Sequence, residues 1–364
     1  MAKPRNLLLT PGPIPVPEAI RKVMAEPIIH HRTPQYRHVF GEISERIKKL
    51  FRTKNPVYTL TGSGTLAMEA SIVNFHSLGD ELLVVEGGKF GERFTEIAKA
   101  NGLKPTVLEV TWGEGVSAER VEQELKKNPK LKSVCVELCE TSTAALFDIQ
   151  AIVKVVAKTP ALLIVDAISG LGADRLETDD WSVDLVIAGS QKAMMLPPGL
   201  AFLSVSQKAT AKIAGANLPR YYADIRLYQK GLRDLDSPFT PAITLVLGLE
   251  KALEMIETEG IENVWKRAAA LGEFTRKGLQ KMGLKLYSNA PSSTVSAALL
   301  PEGLDGEKLI KIMRDDKGCS MAPGQGQLKG KIVRIAHMGP ITQQELKEGL
   351  GVLEETLQEM KVRA

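Results

Sequence analysis

The chain has 364 residues and a formal net charge of +4. Apolar residues make up 44% and charged residues 25% of the sequence, which is the composition of an ordinary globular protein. Since this length exceeds what one hydrophobic core usually sustains, we expect a large domain and a smaller one. Lysine and arginine are dispersed among the acids rather than clustered, which argues against a nucleic-acid partner.

No stretch of the sequence is apolar over the length that a membrane span or a signal peptide requires. The three leucines at 7–9 are followed almost at once by Pro11. We therefore expect a cytoplasmic protein without membrane contact. The three cysteines, Cys135, Cys139 and Cys319, are too few for a disulfide framework, and the five histidines lack the spacing of a zinc site, so no metal is predicted.

An extended N-terminal arm is predicted at residues 1–16. The prolines between positions 11 and 17 exclude a helix or an inner strand. Gly12 lies between two of them and would let the backbone approach a ligand or another part of the protein closely. The alternative is a stiff, docked terminus without a functional contact. A helix is predicted next, at 34–51, from its apolar face.

From residue 56 the sequence alternates between strand-like and helix-like segments. Strands are predicted at 57–60, 81–85, 106–110, 133–138, 161–165, 183–189 and 200–205. Helices are predicted at 66–75, 90–100, 118–127 and 149–158. This alternation is typical of an α/β domain with a mainly parallel sheet, in which ligands bind beyond the carboxyl ends of the strands.

Beyond residue 241 the pattern becomes mostly helical. Helices are predicted at 243–256, 261–282, 306–314 and 342–360, and strands at 284–287, 294–299 and 331–335. These elements indicate a compact α+β domain. We therefore divide the chain into the arm at 1–16, a large α/β domain at 17–250 and a small C-terminal domain at 251–364.

The first predicted strand is followed by a glycine-rich turn that leads straight into a helix. Ser63, Gly64 and Thr65 would offer hydroxyl groups, free backbone N–H groups and the positive end of the helix dipole, which together suit a phosphate. The turn lacks the complete signature of a P-loop or of a dinucleotide fold. A capped helix after a glycine turn is the alternative.

Two charged residues stand at the ends of buried strands. Lys192 follows the strand at 183–189 and precedes Pro-Pro-Gly, and a lysine held against apolar chain shifts towards the neutral amine that attacks carbonyls. Its alternative is a side chain that extends to water. Asp166 ends an apolar strand and needs a cation, either an arginine or the protonated nitrogen of a bound ring. Both residues would face one cleft.

These motifs, in this order, resemble the class V aminotransferases, which are fold type I enzymes of pyridoxal 5′-phosphate (PLP). The resemblance is strongest to alanine–glyoxylate and serine–pyruvate aminotransferases. It extends from Pro11 to Arg334, and its most specific part is Ser-Gln-Lys-Ala at 190–193 before Pro-Pro-Gly. It implies a large domain on a mainly parallel, seven-stranded sheet, a smaller C-terminal α+β domain, and a homodimer with active sites at the subunit interface.

The resemblance implies two catalytic residues. Lys192 matches the lysine that binds PLP covalently and later moves the proton, and Asp166 matches the aspartate that pairs with the ring nitrogen. A protonated ring withdraws the electrons that remain when a bond to the substrate Cα breaks. The implied cofactor contacts are Ser63, Gly64, Thr65, Phe90, Thr141, Asp166, Gln191, Lys192 and Thr240.

Some of these contacts have a specific role in the resemblance. Phe90 matches an aromatic that stacks on the ring, Thr141 a hydroxyl near the ring oxygen, and Thr240 a residue that reaches the phosphate of the neighbouring subunit. The sequence departs from many relatives at Cys139 and Ala144, which replace a small or polar residue and a glycine.

Two residues are predicted to bind substrate. Arg334 alternates with apolar neighbours in a strand, so its planar fork of donors emerges from a sheet face and suits a substrate carboxylate. It also matches the carboxylate-binding arginine of the family; a structural ion pair is the alternative. Gly12 is the second predicted substrate contact. His337 is expected to be an ordinary core or surface histidine.

The predicted reaction is a ping-pong transamination. The resemblance implies alanine or serine as donor and glyoxylate or pyruvate as acceptor, and a single recognisable arginine suits such monocarboxylates. Arg32, Arg220 and Arg226 remain alternatives for a second carboxylate site. Two other functions stay open: a PLP-dependent cysteine desulfurase or lyase with Cys319 as nucleophile, and a catalytically inactive PLP-binding subunit.

Overall fold

The computed structural model describes residues 6–362, so the first five residues of the predicted arm lie outside the described part. The helices are α1 Glu18–Met24, α2 Pro34–Phe51, α3 Gly64–Val73, α4 Lys89–Ala100, α5 Ala118–Lys127, α6 Ile149–Val156, α7 Gln207–Thr210, α8 Ile225–Arg233, α9 Ile243–Glu259, α10 Ile261–Lys281, α11 Gly306–Asp315 and α12 Gln343–Val362. The strands are β1 Leu7–Leu8, β2 Val57–Gly62, β3 Glu81–Glu86, β4 Lys104–Glu109, β5 Ser133–Glu137, β6 Cys139–Glu140, β7 Ala145–Leu146, β8 Leu162–Asp166, β9 Leu185–Gly189, β10 Gly199–Val205, β11 Val295–Leu299, β12 Cys319–Ser320, β13 Ala322–Pro323 and β14 Ile332–Ala336.

The large sheet has seven strands in the order β2-β10-β9-β8-β5-β3-β4. Only β10 runs antiparallel to its neighbours, β2 and β9, and the other pairs are parallel. The predicted α/β fold with a mainly parallel, seven-stranded sheet is therefore confirmed. Because the parallel strands end at the same edge, residues that follow β5, β8 and β9 are brought together there.

The central strands are apolar along their whole length because helices cover both faces of the sheet. In β8, Leu163 and Val165 pack in one apolar cluster, while Leu162 and Ile164 pack in the cluster on the opposite face. Truncating such a fully buried leucine to alanine costs about 2–5 kcal/mol. Polar chemistry on these strands is therefore confined to the ends, where Asp166 lies.

A smaller antiparallel sheet is formed by β11, β14 and β13 in that order. Helices α10 and α11 pack on it and α12 packs on these two helices, which confirms a smaller C-terminal α+β region. The predicted division between residues 250 and 251 falls inside α9, so the exact division of the chain stays a prediction. None of the helices within residues 6–362 has both the length and the apolar character needed to cross a bilayer.

The described part of the arm is held by the C-terminal region and by the loop after β9. Strand β1 pairs in parallel with β12, and the Leu9 carbonyl accepts a hydrogen bond from Ala336 N at 2.9 Å. Further along, Ile14 N donates to the Gln191 carbonyl at 3.3 Å. The arm therefore passes directly beside Lys192.

The structure differs from the predicted elements at several places. A strand was expected at 284–287, but this segment forms only an isolated bridge, Leu286 to Ala298, after the left-handed turn at Gly283. Helices α1 and α8 were not predicted. Both are short, and α1 begins directly after Pro17, the last proline of the segment at 11–17; proline disfavours a helix interior but is compatible with the start of a helix.

Candidate active site

Lys192 is delivered by a tight connection between β9 and β10. The Ser190 hydroxyl donates to the Pro197 carbonyl at 2.7 Å and accepts from Leu200 N at 3.1 Å. Met195 N donates to the Lys192 carbonyl at 2.8 Å, which closes the turn. These bonds hold the lysine at the edge of the sheet, where its side chain is only 8% exposed.

The Lys192 amine lies under the N-terminal arm. Its Nζ donates to the Pro11 carbonyl. Burial lowers the pKa of Lys192 to about 8, an effect that Asp166 opposes and that Arg334 reinforces. Gly12 has a φ of +125°, and a Cβ added there would lie 2.5 Å from Nζ. Only glycine leaves the space that the lysine occupies.

Asp166 lies at the end of β8, beside the strand that leads to Lys192. Its Cα is paired with Glu137 of β5 and Ile187 of β9. Its Oδ1 accepts a hydrogen bond from Ile168 N at 2.7 Å, and the side chain is 5% exposed. Burial raises the pKa of Asp166 to about 7, so its ionised form requires a cation nearby.

The N-terminus of α3 forms an open cradle next to Asp166. Ser63 is the N-cap residue, and its exposed side chain makes no capping hydrogen bond. A Cβ added at Gly64 would lie 2.6 Å from Ile168 Cδ1, so the backbone here packs closely on the segment after β8. The Thr65 hydroxyl is exposed as well. The backbone N–H groups of this turn and the Ser63 hydroxyl are available to bind an anion.

Phe90 lies in the first turn of α4, and its ring is partly buried. The Arg93 guanidinium stacks on this ring, 4.9 Å from its centroid, and Nη1 lies 3.5 Å from the Thr65 hydroxyl. Phe90 N donates to Glu140 Oε2 at 2.9 Å. The aromatic ring is therefore fixed at the rim of the cradle.

Arg334 projects from β14 towards the loop after β6 and is 4% exposed. Its Nη1 donates to the Thr141 carbonyl at 2.8 Å, while Nε and Nη2 donate to the Pro323 carbonyl at 3.0 and 2.9 Å. Burial lowers the pKa of Arg334 to about 10. Its partners are carbonyl groups, so the structural ion pair considered above does not form with the described residues.

Three other predicted cofactor contacts differ in their burial and hydrogen bonding. The Thr141 hydroxyl donates to Ser169 Oγ at 2.6 Å. Gln191 Oε1 is buried without a hydrogen-bond partner among residues 6–362. Thr240 is exposed and lies in a loop whose Ala242 N donates to Thr61 Oγ1 at 3.1 Å. Within the described chain, Thr240 thus lies near the cradle strand and makes no hydrogen bond of its own.

Glu140 is a residue of the candidate site that was not predicted. It is fully buried and accepts hydrogen bonds from Phe90 N and Gly91 N through Oε2, and from Ser142 N and Ser142 Oγ through Oε1. It therefore links the start of α4 to the loop that carries Thr141. An acid close to the end of an apolar strand was the available signal, since the same pattern identified Asp166.

Two residues considered above lie in the core. The His337 ring nitrogens contact the Ser293 carbonyl at 2.8 Å and Ser296 Oγ at 3.0 Å, and burial lowers the pKa of His337 to about 3. Cys319 is buried in β12, and burial raises the pKa of its thiol to about 11. Cys319 is therefore a poor nucleophile. Within residues 6–362, no group of three or more potential ligands is arranged to hold a metal ion.

The loop after β6 also explains one departure from the family pattern. Ala144 has a φ of 63°, in the left-handed region that glycine adopts readily. Alanine is strained in this conformation, at a cost of about 1–2 kcal/mol.

The arrangement of an α/β sheet with a buried amine and a buried acid at one edge is the scaffold of fold type I PLP enzymes. A solved structure shares it along the whole chain. The alanine–glyoxylate aminotransferase from Nostoc sp. superposes with a TM-score of 0.94 at 27% identity, covering 98% of this chain and 96% of that chain.

Within the fold type I PLP enzymes, sequence comparison identifies one family for this chain. The family described as aminotransferase class-V matches residues 20–327. An L-aspartate–glyoxylate aminotransferase from Paracoccus denitrificans is 36% identical over 358 residues, which covers 96% of this chain and 90% of the relative. A Synechococcus protein named as the small subunit of a soluble hydrogenase is 37% identical over 361 residues, covering 98% and 94%. The chain belongs to the class-V aminotransferase family and is a PLP-dependent enzyme.

Proposed function

We propose that this enzyme transfers the amino group of a small L-amino acid, alanine or serine, to glyoxylate or pyruvate. The observation that carries the proposal is the proximity of Lys192 and Arg334: a buried amine with a lowered pKa lies within electrostatic reach of a guanidinium that has no carboxylate partner in the described chain. The aminotransferase relatives named above differ in the donor, aspartate or alanine, and share glyoxylate. Glyoxylate is therefore the better-supported acceptor.

The residues at the sheet edge fit PLP at three points. Ser63, Gly64 and Thr65 at the start of α3 would hold its phosphate, because their N–H and hydroxyl groups have few competing partners. Gln191 Oε1 is buried without a partner, so the amide next to Lys192 in the chain has hydrogen-bonding capacity that the described residues do not use. Asp166 would pair with the ring nitrogen. When bound, PLP supplies a ring that accepts the electron pair released at the substrate Cα.

The lowered pKa of Lys192 bears directly on catalysis. With a pKa of about 8, about one amine in ten is neutral at pH 7, compared with fewer than one in a thousand at the usual value of 10.5. A neutral Nζ can condense with a carbonyl carbon with loss of water and, once the substrate amine has replaced it there, can take a proton from the substrate Cα. Phe90 would cover one face of the ring, and the Thr141 hydroxyl would approach its oxygen.

Arg334 would fix the substrate carboxylate. A guanidinium has five N–H groups, and the three hydrogen bonds to Pro323 and Thr141 leave one free on each of Nη1 and Nη2, the number that bidentate binding needs. Gly12 would approach the same substrate from the arm. The arginines considered for a second carboxylate are engaged within the chain, Arg32 with Asp236, Arg226 with Asp224, and Arg220 with the Val73 carbonyl. This supports a small monocarboxylate donor.

We also propose a cytoplasmic homodimer with active sites at the subunit interface. Tyr221 is 76% exposed and packs against Phe239, next to the exposed Thr240, so an apolar surface borders the cradle. Covering this surface with a second copy would let Thr240 reach the cofactor phosphate of that copy. A cytoplasmic location agrees with three free cysteines, all buried, in a chain without disulfides.

The donor is tested by a half-reaction screen. Full-length protein loaded with PLP is mixed with single amino acids, and the absorption of the bound cofactor reports its conversion from the aldehyde to the amine form. Alanine and serine are expected to convert it, and aspartate and glutamate to do so far more slowly. Fast conversion by a dicarboxylate would contradict the monocarboxylate assignment, and sulfide release from cysteine would favour the desulfurase.

The covalent attachment is tested by borohydride reduction followed by peptide mapping. The pyridoxyl label is expected on the peptide that contains Lys192, and it should be absent from a Lys192→Ala variant. Lys208→Ala is a matched control, since this lysine is ion-paired to Asp184 away from the cleft. Label on another peptide of the wild-type protein would show that the cleft is not the PLP site.

A further inference from the structure

Glu137 is a buried acid that none of the roles above uses. It ends β5, and its Cα is paired in parallel register with that of Asp166 at the end of β8. Side chains alternate between the faces of a strand. Cys135 and Ile164, two residues before each acid, belong to the same apolar cluster. The carboxyl groups of Glu137 and Asp166 therefore leave the same face of the sheet from neighbouring strands.

Glu137 also lacks partners. Its side chain is 1% exposed, and neither Oε1 nor Oε2 has a hydrogen-bond partner within residues 6–362. The acids that act on it electrostatically, Glu140, Asp166 and Glu86, all accept hydrogen bonds themselves. On the side of α4 the space is filled, since a Cβ added at Gly91 would lie 3.4 Å from Glu137 Oε2.

An ionised carboxylate is unfavourable at this position. An unpaired charge taken out of water loses its hydration without compensation, and such a group protonates instead. Burial raises the pKa of Glu137 well above its usual range, and the nearby Glu140 and Asp166 raise it further. As a neutral acid, Glu137 has one O–H to donate. Asp166 is the nearest register partner, and its Oδ2 makes no hydrogen bond to the described residues, whereas Oδ1 accepts from Ile168 N.

We propose that Glu137 is a positioning residue: a protonated carboxyl that holds the Asp166 carboxylate, directly or through one water, and limits the pair to one negative charge facing the cofactor ring. This inference rests on the role proposed for Asp166. A single charge at this point is enough to keep the ring nitrogen protonated. A second would place two carboxylates side by side in a buried site, where like charges repel strongly.

The protonation of Glu137 is tested without cofactor, by thermal unfolding of the full-length protein and its E137Q variant. Glutamine keeps the shape and the donor but cannot ionise. In the unfolded chain Glu137 ionises above its ordinary pKa of 4.5, whereas in the folded chain it stays protonated, so the wild-type protein loses stability relative to E137Q as pH rises. The difference in Tm should therefore grow in favour of E137Q between about pH 5 and pH 8. A constant difference, or one that grows in favour of the wild type, overturns the proposal.

The positioning role is tested with PLP. E137L lacks the donor and should bind PLP about tenfold more weakly, as expected for the loss of one hydrogen bond. It should also move the midpoint of the pH titration of the bound cofactor's visible absorption. E137Q should bind PLP within about twofold of the wild type and leave this midpoint in place. Equal behaviour of the two variants would mean that Glu137 only fills space.

Two further outcomes are decisive. If E137L does not fold, E137Q alone decides the question. A shift in the midpoint of its cofactor pH titration would show that the wild-type acid is ionised and would overturn the proposal. An unchanged midpoint would support it. A failure of the proposed function can be told apart from a failure of this proposal. If the proposed function is wrong, borohydride reduction of the wild-type protein leaves no pyridoxyl label on Lys192. The pH dependence of unfolding in the absence of PLP is independent of that result.

Discussion

Replacing Arg334 with lysine separates the charge of the guanidinium from its geometry. Lysine keeps the positive charge but not the planar fork, and it cannot make the contacts to the Pro323 and Thr141 carbonyls and two bonds to a carboxylate together. Hydrogen bonds to charged groups contribute about 1.5–3 kcal/mol each. Losing one of the two carboxylate bonds should therefore raise the donor KM by about 10- to 150-fold.

The assay is the half-reaction, followed as a function of donor concentration. Because the carboxylate bonds exist before and during proton transfer, R334K should change KM much more than the rate at saturation. Arg120→Lys is the matched control, since Arg120 is exposed on α5 and its guanidinium donates to the Glu109 carbonyl, away from the site. R334K kinetics that match those of R120K would remove Arg334 from the substrate site. A loss confined to the saturating rate would mean that Arg334 acts on the chemical step instead.

Two further perturbations concern the lysine and the arm. Since the pKa of Lys192 is lowered from 10.5 to about 8, burial of its charge costs stability below pH 8, and this cost disappears as pH rises towards 10.5. Without PLP, Lys192→Met should therefore have a higher Tm than the wild type at pH 7, with an advantage that shrinks at higher pH; a constant difference would argue against a lowered pKa. Gly12→Ala would place a methyl group 2.5 Å from Lys192 Nζ at a φ of +125°, so PLP binding should weaken strongly. Gly283→Ala is the control, because at a φ of +78° with no atom within 4 Å it introduces only backbone strain, about 1–3 kcal/mol. Equal PLP affinity of the two variants would show that the close approach of Gly12 to Lys192 does not affect binding.

The sequence was sufficient to predict the sheet and two of its edge residues, because the signals are local. Asp166 directly follows five apolar residues, and Lys192 comes three residues after the apolar strand β9, so both charges stand out in the sequence. Glu137 and Glu140 were not predicted, since Glu137 follows only three apolar residues and Glu140 only two. The predicted strand continued to residue 138, so Glu137 was placed inside it, whereas β5 ends at Glu137 and a separate two-residue strand follows.

Contacts between distant segments could not be predicted in this way. The Pro11 carbonyl lies on Lys192, and Thr141 contacts Arg334, because separate parts of the fold dock together. Nothing in the residues around position 11 encodes the position of residue 192. The same holds for Glu137, since its missing partners become visible only when both neighbouring strands and α4 are in place.

The docking of the arm also sets the order in which the chain can complete its fold. During synthesis, β1 leaves the ribosome first, but its partner β12 lies more than three hundred residues later. The large sheet can form before the segment at 7–14 has its pairing partner β12. The Pro11 carbonyl that contacts Lys192 belongs to this arm, so the β1–β12 pairing that anchors the arm can form only after residues 319 and 320 have been synthesised.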